Sequence, residues 1–174
     1  WSSDVCSSDL APRRARDAGQ LSPIEGRFDR AIETYQEWIE RYPDHPVRRH
    51  LEVMMGVDLM KMGREAEGAA LFGKGMTQLI EDAEAELDKQ KAAQKWFEVA
   101  RYYDLADQVE PAVVYYEKLR KDYADVGSVS WDSTRAQLDM YMRAKRFDDA
   151  LALLQPVADG APERQETRMA AMFM

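Results

Sequence analysis

Apolar positions along this chain recur with a helical beat, not an alternating one. In WFEVARYYDLADQVEPAVVYY, Trp96, Val99, Ala100 and Tyr103 fall on one helical face, and Ala112 and Tyr116 resume the pattern beyond a break. Residues three and four apart share a helix face, so the stretch predicts two amphipathic helices joined by a short turn. The same frame returns as Met55, Gly56, Leu59, Gly68 and Phe72, and again as Tyr141, Ala150, Leu154, Val157 and Pro162. An earlier copy keeps only its second half: Ala31, Tyr35, Trp38 and Pro43. In each complete copy the first-helix anchor precedes the second-helix anchor by 13 residues: 59 to 72, 103 to 116 and 141 to 154. Between copies, positions 35, 72, 116 and 154 are separated by 37, 44 and 38 residues. Extra residues thus fall only in the connections. That fits a repeated helix hairpin, whose packing is fixed while the link to the next hairpin is free.

Small residues mark where the hairpin helices cross. Gly56 is expected to face Gly68, and Ala100 to face Ala112. The backbones can then approach, while Leu59, Phe72, Trp96, Tyr103 and Tyr116 fill the space above and below. A glycine inside a helix costs about 1 kcal/mol relative to alanine, so two in register signal a close crossing. The punctuation agrees. MGREAEGA, AKRFDDA and EGRFDRA each place Gly or Lys, then a charged residue, before a second helix. RYPDHPVRR predicts a helix end at Pro43 and a start at Pro46, with Asp44 as N-cap, and Pro111 suits a first turn. MTQLIEDAEAELDKQKAAQKW has no Gly or Pro and holds the largest insertion. Extended helices are therefore expected around residues 76–105, with a turn within 86–93.

The spacing W-x2-V-A-x2-Y-x8-A-x3-Y resembles the tetratricopeptide repeat pattern, W-x2-L-G-x2-Y followed by A-x3-F and P, whose usual period is about 34 residues. The resemblance implies an all-α fold, an α-solenoid of antiparallel helix pairs with about four repeats over residues 11–174. The fourth copy departs from it, with Thr134, Gln137 and Leu138 where the family has large apolar, leucine and small residues. Trp131 lies one turn early, which predicts a register shift of three residues in that helix. In the first copy the expected positions Ala15, Ala18 and Gly19 fall in APRRARDAGQLSP, interrupted by Ser22-Pro23. ERQETRMAAMFM begins a fifth helix, so the repeat array is expected to be cut at both ends.

The opening WSSDVCSSDL fits none of this. Residue by residue, Trp1 to Leu10 match a reading-frame translation of a common short-read sequencing adapter, so residues 1–10 are expected to be non-native. Deleting them is expected to leave thermal stability unchanged. Without them the chain keeps about 164 residues and a net charge of about −6. That length suits one domain with a sizeable core. The acidic balance argues against nonspecific nucleic-acid binding. The sole cysteine, Cys6, lies in that segment, so residues 11–174 offer no disulfide, thiol catalysis or Cys-based metal site. Bacterial cytoplasm and periplasm stay equally open, since a cysteine-free protein tolerates both and any N-terminal targeting information is expected to be lost. No apolar run is long enough to span a bilayer.

Catalytic motifs are missing, and no cofactor is expected. LFGKGM lacks the upstream glycine and the following Ser or Thr of a phosphate loop. His45 and His50 diverge on a helix, so they read as surface histidines and not as metal ligands. The run Glu81, Asp82, Glu84, Glu86 and Asp88 lacks the glycine of a calcium loop. With Lys89 and Lys91 following three residues after Glu86 and Asp88, it reads as an ion-paired helix face. Met54, Met55, Met60 and Met62 read as core. Arg13, Arg14 and Arg16 read as an exposed cluster.

In tetratricopeptide proteins first helices line an inner wall that receives peptides. By resemblance, the candidate positions are His50, Val53, Val57, Met60 and Lys61; Gln94, Phe97, Glu98, Arg101 and Asp104; and Asp132, Arg135, Asp139, Met142 and Arg143. The carboxylate clamp of some relatives is absent, because Val53 and Val57 occupy two of its positions. Two functions are expected. One is a non-enzymatic scaffold binding a peptide or helix of a partner protein, in a bacterial envelope variant because WIERYPDHP resembles a helix-end phrase common in outer-membrane assembly and cell-division repeat proteins. The alternative is a regulatory or docking arm of a larger enzyme or regulator.

Overall fold

The computed structural model describes residues 25–160. Among them seven helices follow one another without a strand: α1 (Glu25–Arg41), α2 (Arg48–Lys61), α3 (Glu65–Glu84), α4 (Lys89–Leu105), α5 (Val109–Asp122), α6 (Val129–Arg143) and α7 (Phe147–Gly160). The protein is all-α. The adapter-like segment, the first copy's missing helix and the fifth helix lie outside the described residues.

The three hairpins α2–α3, α4–α5 and α6–α7 share one turn. Gly63, Asp107 and Lys145 stand at φ 82, 56 and 58. The amides after them, on Arg64, Gln108 and Arg146, donate to the carbonyls of Leu59, Tyr103 and Tyr141 at 2.9, 2.9 and 2.8 Å. The amides of Gly63, Asp107 and Lys145 donate to Met60, Asp104 and Met142 at 3.0, 3.0 and 3.2 Å. These paired bonds form a left-handed helix C-cap. Each anchor is thereby held six residues before the first residue of the next helix, which is why the spacing of 13 recurs. EGRFDRA behaves differently, since Glu25 and Gly26 already belong to α1.

Other connections correct the sequence reading in detail. Val47, not Asp44, stands at the start of α2, and its amide donates to Nδ1 of His45 at 3.2 Å. His45 also packs edge-on against Trp38, ring centres 5.1 Å apart. The turn after α3 spans residues 85–88, overlapping only the first part of the expected window. There Asp88 accepts the Lys91 amide at 2.9 Å and caps α4. At 20 residues α3 is the longest described helix, as the absence of Gly and Pro after Gly75 predicts.

Packing is closest between α2 and α3. A Cβ on Gly56 would meet the Gly68 carbonyl at 2.8 Å, one on Gly68 would meet the Gly56 carbonyl at 2.6 Å, and one on Gly75 would meet Val53 at 2.5 Å. As position rises along α3 its contact falls along α2, so the pair is antiparallel. Ala100 and Ala112 are both fully buried. Tyr115 stacks between Trp96 and Tyr103, centroids 5.5 and 5.4 Å away, and Tyr103 meets Phe72 edge-on at 5.6 Å. The main core runs from Val53 through Phe72, Trp96, Tyr116 and Tyr141 to Ala150. A smaller one gathers Ile32, Met55 and Leu59, with Tyr35, Met62 and Leu71 against it. Leu154 is buried as well.

The fourth copy keeps its frame, so the expected register shift does not occur. Thr134, Gln137 and Tyr141 are buried, while Trp131 is 42% exposed. The hydroxyls of Ser133 and Thr134 donate back to the Ser130 carbonyl, which lets polar residues sit at these inward positions.

Successive helices pack on one another, and in addition α2 adjoins α4 and α4 adjoins α6. Among the described residues α1, α3, α5 and α7 do not meet one another. The stack is therefore closed on the side of α2, α4 and α6 and splayed on the other.

Candidate wall of α2, α4 and α6

Burial settles which sequence candidates can face a ligand. Val53 and Val57 are 0% and 2% exposed and belong to the main core, so they are not part of any surface. The cause is the position of α2, wedged against α1, α3 and α4. Glu52, Val53, Met55, Gly56, Val57, Asp58 and Leu59 are all buried, and a stripe transferred onto such a helix turns inward. Met60 leans over the notch at Gly68 and is half-buried. Lys61 remains exposed at the end of α2.

His50 is not a free surface histidine. Its Nδ1 lies 3.0 Å from the Tyr102 hydroxyl and 4.0 Å from the Glu98 carboxylate, tying α2 to α4. Burial, then the negative charge of Glu98, pushes the Tyr102 hydroxyl up to about 12. Beside this contact opens a pocket of about 380 Å³, lined by His50, Leu79, Asp82, Lys91, Gln94, Lys95 and Glu98. Arg49 pairs with Asp82, and Lys95 reaches both Glu86 at 2.7 Å and the Asp82 carbonyl at 3.1 Å. Within the acidic run Asp82 and Glu86 are thus paired to cations of α2 and α4 and not along one helix. Lys89 crosses to Asp125 at 2.6 Å instead of pairing with Glu86.

Further along, α4 and α6 bring four candidates together. Arg143 donates to Asp104 at 2.5 Å. Beneath them lies the hydroxyl of Tyr116, fully buried and without a hydrogen-bond partner. Burial pushes that hydroxyl well above its usual range, Asp104 and Asp139 add to the shift, and Arg101 and Arg143 oppose it. Arg101, Asp104, Asp139 and Arg143 thus all act electrostatically on this one hydroxyl, and Arg143 and Asp104 meet directly. Phe97 packs edge-on to Tyr116 at 6.1 Å and is half-buried, while Glu98 is exposed. Arg135 and Asp132 approach each other at 3.7 Å along α6, and Met142 is 50% exposed at its end.

Sequence reasoning missed Lys91, Lys95 and Tyr102. Their signal is present: positions 91, 94, 95, 98, 101 and 102 recur at helical spacing on the side of α4 away from Trp96, Val99 and Ala100. Tyr115 was missed because it follows a pattern position directly.

Among the described residues no three His, Cys, Asp or Glu side chains converge to hold a metal ion, and no helix is long and apolar enough to cross a membrane. What the wall does offer is charge, amide and hydroxyl groups, with Phe97 half-buried and Met142 exposed among them. Comparison with protein-family models, curated proteins and solved structures yields no match.

Proposed function

We propose that this protein is a non-enzymatic scaffold of the tetratricopeptide type that receives a peptide or helix of a partner protein along α2, α4 and α6. The observation that carries this reading is the adjacency of those three helices, while the intervening helices stay apart. A stack closed on one side presents a continuous surface there and separate ridges elsewhere, and elongated surfaces of this kind suit extended segments. The hairpin turn repeated at Gly63, Asp107 and Lys145 supports the repeat assignment. A role in bacterial envelope assembly rests on WIERYPDHP alone.

The test is site-specific photo-crosslinking in cells. A photoreactive residue at Arg101 or Met142, on the wall, should give discrete protein adducts. The same residue at Val114, 60% exposed on α5, should give none. Adducts from Val114 alone would sink the reading.

A further inference from the structure

Charge on this chain is sorted by helix. α2, α4 and α6 carry nine Lys or Arg against six Asp or Glu. The other four helices carry seven against sixteen. The wall is basic on a chain whose formal net charge is −8. Part of this charge is cancelled in pairs on both sides, Arg48 meeting Glu52, Arg49 Asp82, Lys89 Asp125 and Lys95 Glu86. Glu52 and Asp58 are only 5% and 8% exposed, and Asp104 is held by Arg143 at 2.5 Å. Lys91 and Arg101 are exposed on α4, and Lys95 joins Lys91 at the pocket beside His50.

We infer that the segment received on this wall is acidic: a stretch of partner polypeptide whose Asp or Glu side chains meet Lys91 at the pocket and Arg101 further along α4. This inference rests on the scaffold reading above. The remaining helices, net acidic with seven Lys or Arg against sixteen Asp or Glu, repel such a segment from the rest of the surface, and Asp82 of α3, which lines the pocket, is paired there with Arg49. The wall attracts it, so the field both steers the partner and fixes the face it meets.

The experiment is fluorescence anisotropy on the whole chain with a fluorescein-labelled peptide of alternating Glu and Leu, its Lys/Leu counterpart, an uncharged Ser/Leu peptide and a labelled single-stranded oligonucleotide. The Glu/Leu peptide should bind, and binding should weaken as salt rises. Lys91→Glu and Arg101→Glu should each weaken it by about tenfold. Lys121→Glu, which makes the same charge change on exposed α5, should change it less than twofold, roughly a third of that effect in free energy. Thermal melts of all three variants should match the parent, since these side chains are exposed. Tighter binding of the Lys/Leu peptide, or equal weakening by Lys121→Glu, would overturn the inference. So would tighter binding of the oligonucleotide, or self-association of the chain lost in Arg101→Glu. Ser/Leu binding that is lost when Met142 is replaced but indifferent to Arg101→Glu would overturn acidic recognition alone and leave the scaffold reading standing.

Discussion

The Gly56 carbonyl stands 2.6 Å from the point that a Cβ on Gly68 would occupy, and the reverse contact, Gly68 carbonyl to a Cβ on Gly56, is 2.8 Å. In both cases the obstacle is backbone, which cannot swing aside. Alanine at either position would gain about 1 kcal/mol in helix propensity but must force α2 and α3 apart. Gly56→Ala and Gly68→Ala should each destabilise the protein by about 2 kcal/mol or more, a drop of about 4–8 °C in melting temperature. Gly73, on the same helix, has nothing within 4 Å of its Cβ position. Gly73→Ala should therefore stabilise by about 0.5–1 kcal/mol. Thermal melts of the three variants check the sign as well as the size.

The shared turn makes a second forecast. Lys145 holds φ 58, a left-handed conformation that costs a side-chain-bearing residue about 1–2 kcal/mol, whereas the equivalent Gly63 adopts φ 82 freely. Lys145→Gly should raise stability by up to about 1 kcal/mol, the relief of strain being partly offset by a freer unfolded chain. Asp107→Gly should gain less, because aspartate tolerates this region better. Gly63→Ala should lose about 1 kcal/mol. Urea denaturation with an unchanged slope is the measurement; a loss of stability in Lys145→Gly would contradict the strain argument.

The parts of the fold legible in the sequence are those fixed by backbone geometry. Leu59, Tyr103 and Tyr141 are recoverable because the identical cap locks each a constant distance from Phe72, Tyr116 and Leu154. Gly56 and Gly68 are recoverable because only a close crossing rewards glycine inside helices. On α4 and α6, which each keep one solvent face, the transferred positions Arg101, Asp139 and Arg143 stay exposed, and Arg143 pairs with Asp104. On α2 the pattern fails, since three neighbouring helices bury Val53 and Val57 along with Glu52 and Asp58. Periodicity reports one apolar stripe and has no signature for a helix covered nearly all round. Nor could it foresee His50 meeting Tyr102, a contact made by stacking of one hairpin on the next.

Asp58 gives the stack a pH dependence. Burial holds its carboxyl above the ordinary value of 3.8, and Lys61 offsets this only in part. A carboxyl whose folded value lies above its unfolded one binds its proton more tightly in the native state. Its ionisation therefore opposes folding at neutral pH, and that penalty is relieved as pH falls through the raised folded value towards 3.8. Asp58→Asn should raise the melting temperature at pH 7, and the gap to the parent should close as the pH falls towards 4. The Tyr35 hydroxyl, raised first by burial and then by the Asp58 charge, should titrate lower in the variant. A gap that widens on acidification would show that the charged carboxylate stabilises α2.

Gln137 occupies the place where the repeat pattern calls for leucine, and the α5–α6 contact around it is unusually polar. It is 2% exposed; Nε2 donates to the Tyr141 hydroxyl at 2.9 Å, while Oε1 has no partner. Nη1 of the nearby Arg120 is likewise buried and unpartnered, and burial lowers that guanidinium below its usual range. A buried amide with half its groups unsatisfied costs about 1–3 kcal/mol, and the single bond to Tyr141 returns about 1 kcal/mol. The apolar residue should therefore win: Gln137→Leu should stabilise by about 1 kcal/mol in urea denaturation with the slope unchanged. Adding Tyr141→Phe should not cancel the gain, because the hydroxyl loses its donor in the first step. If Gln137→Leu instead destabilises by a similar amount, a buried water bridging Oε1 and Arg120 completes the polar contact.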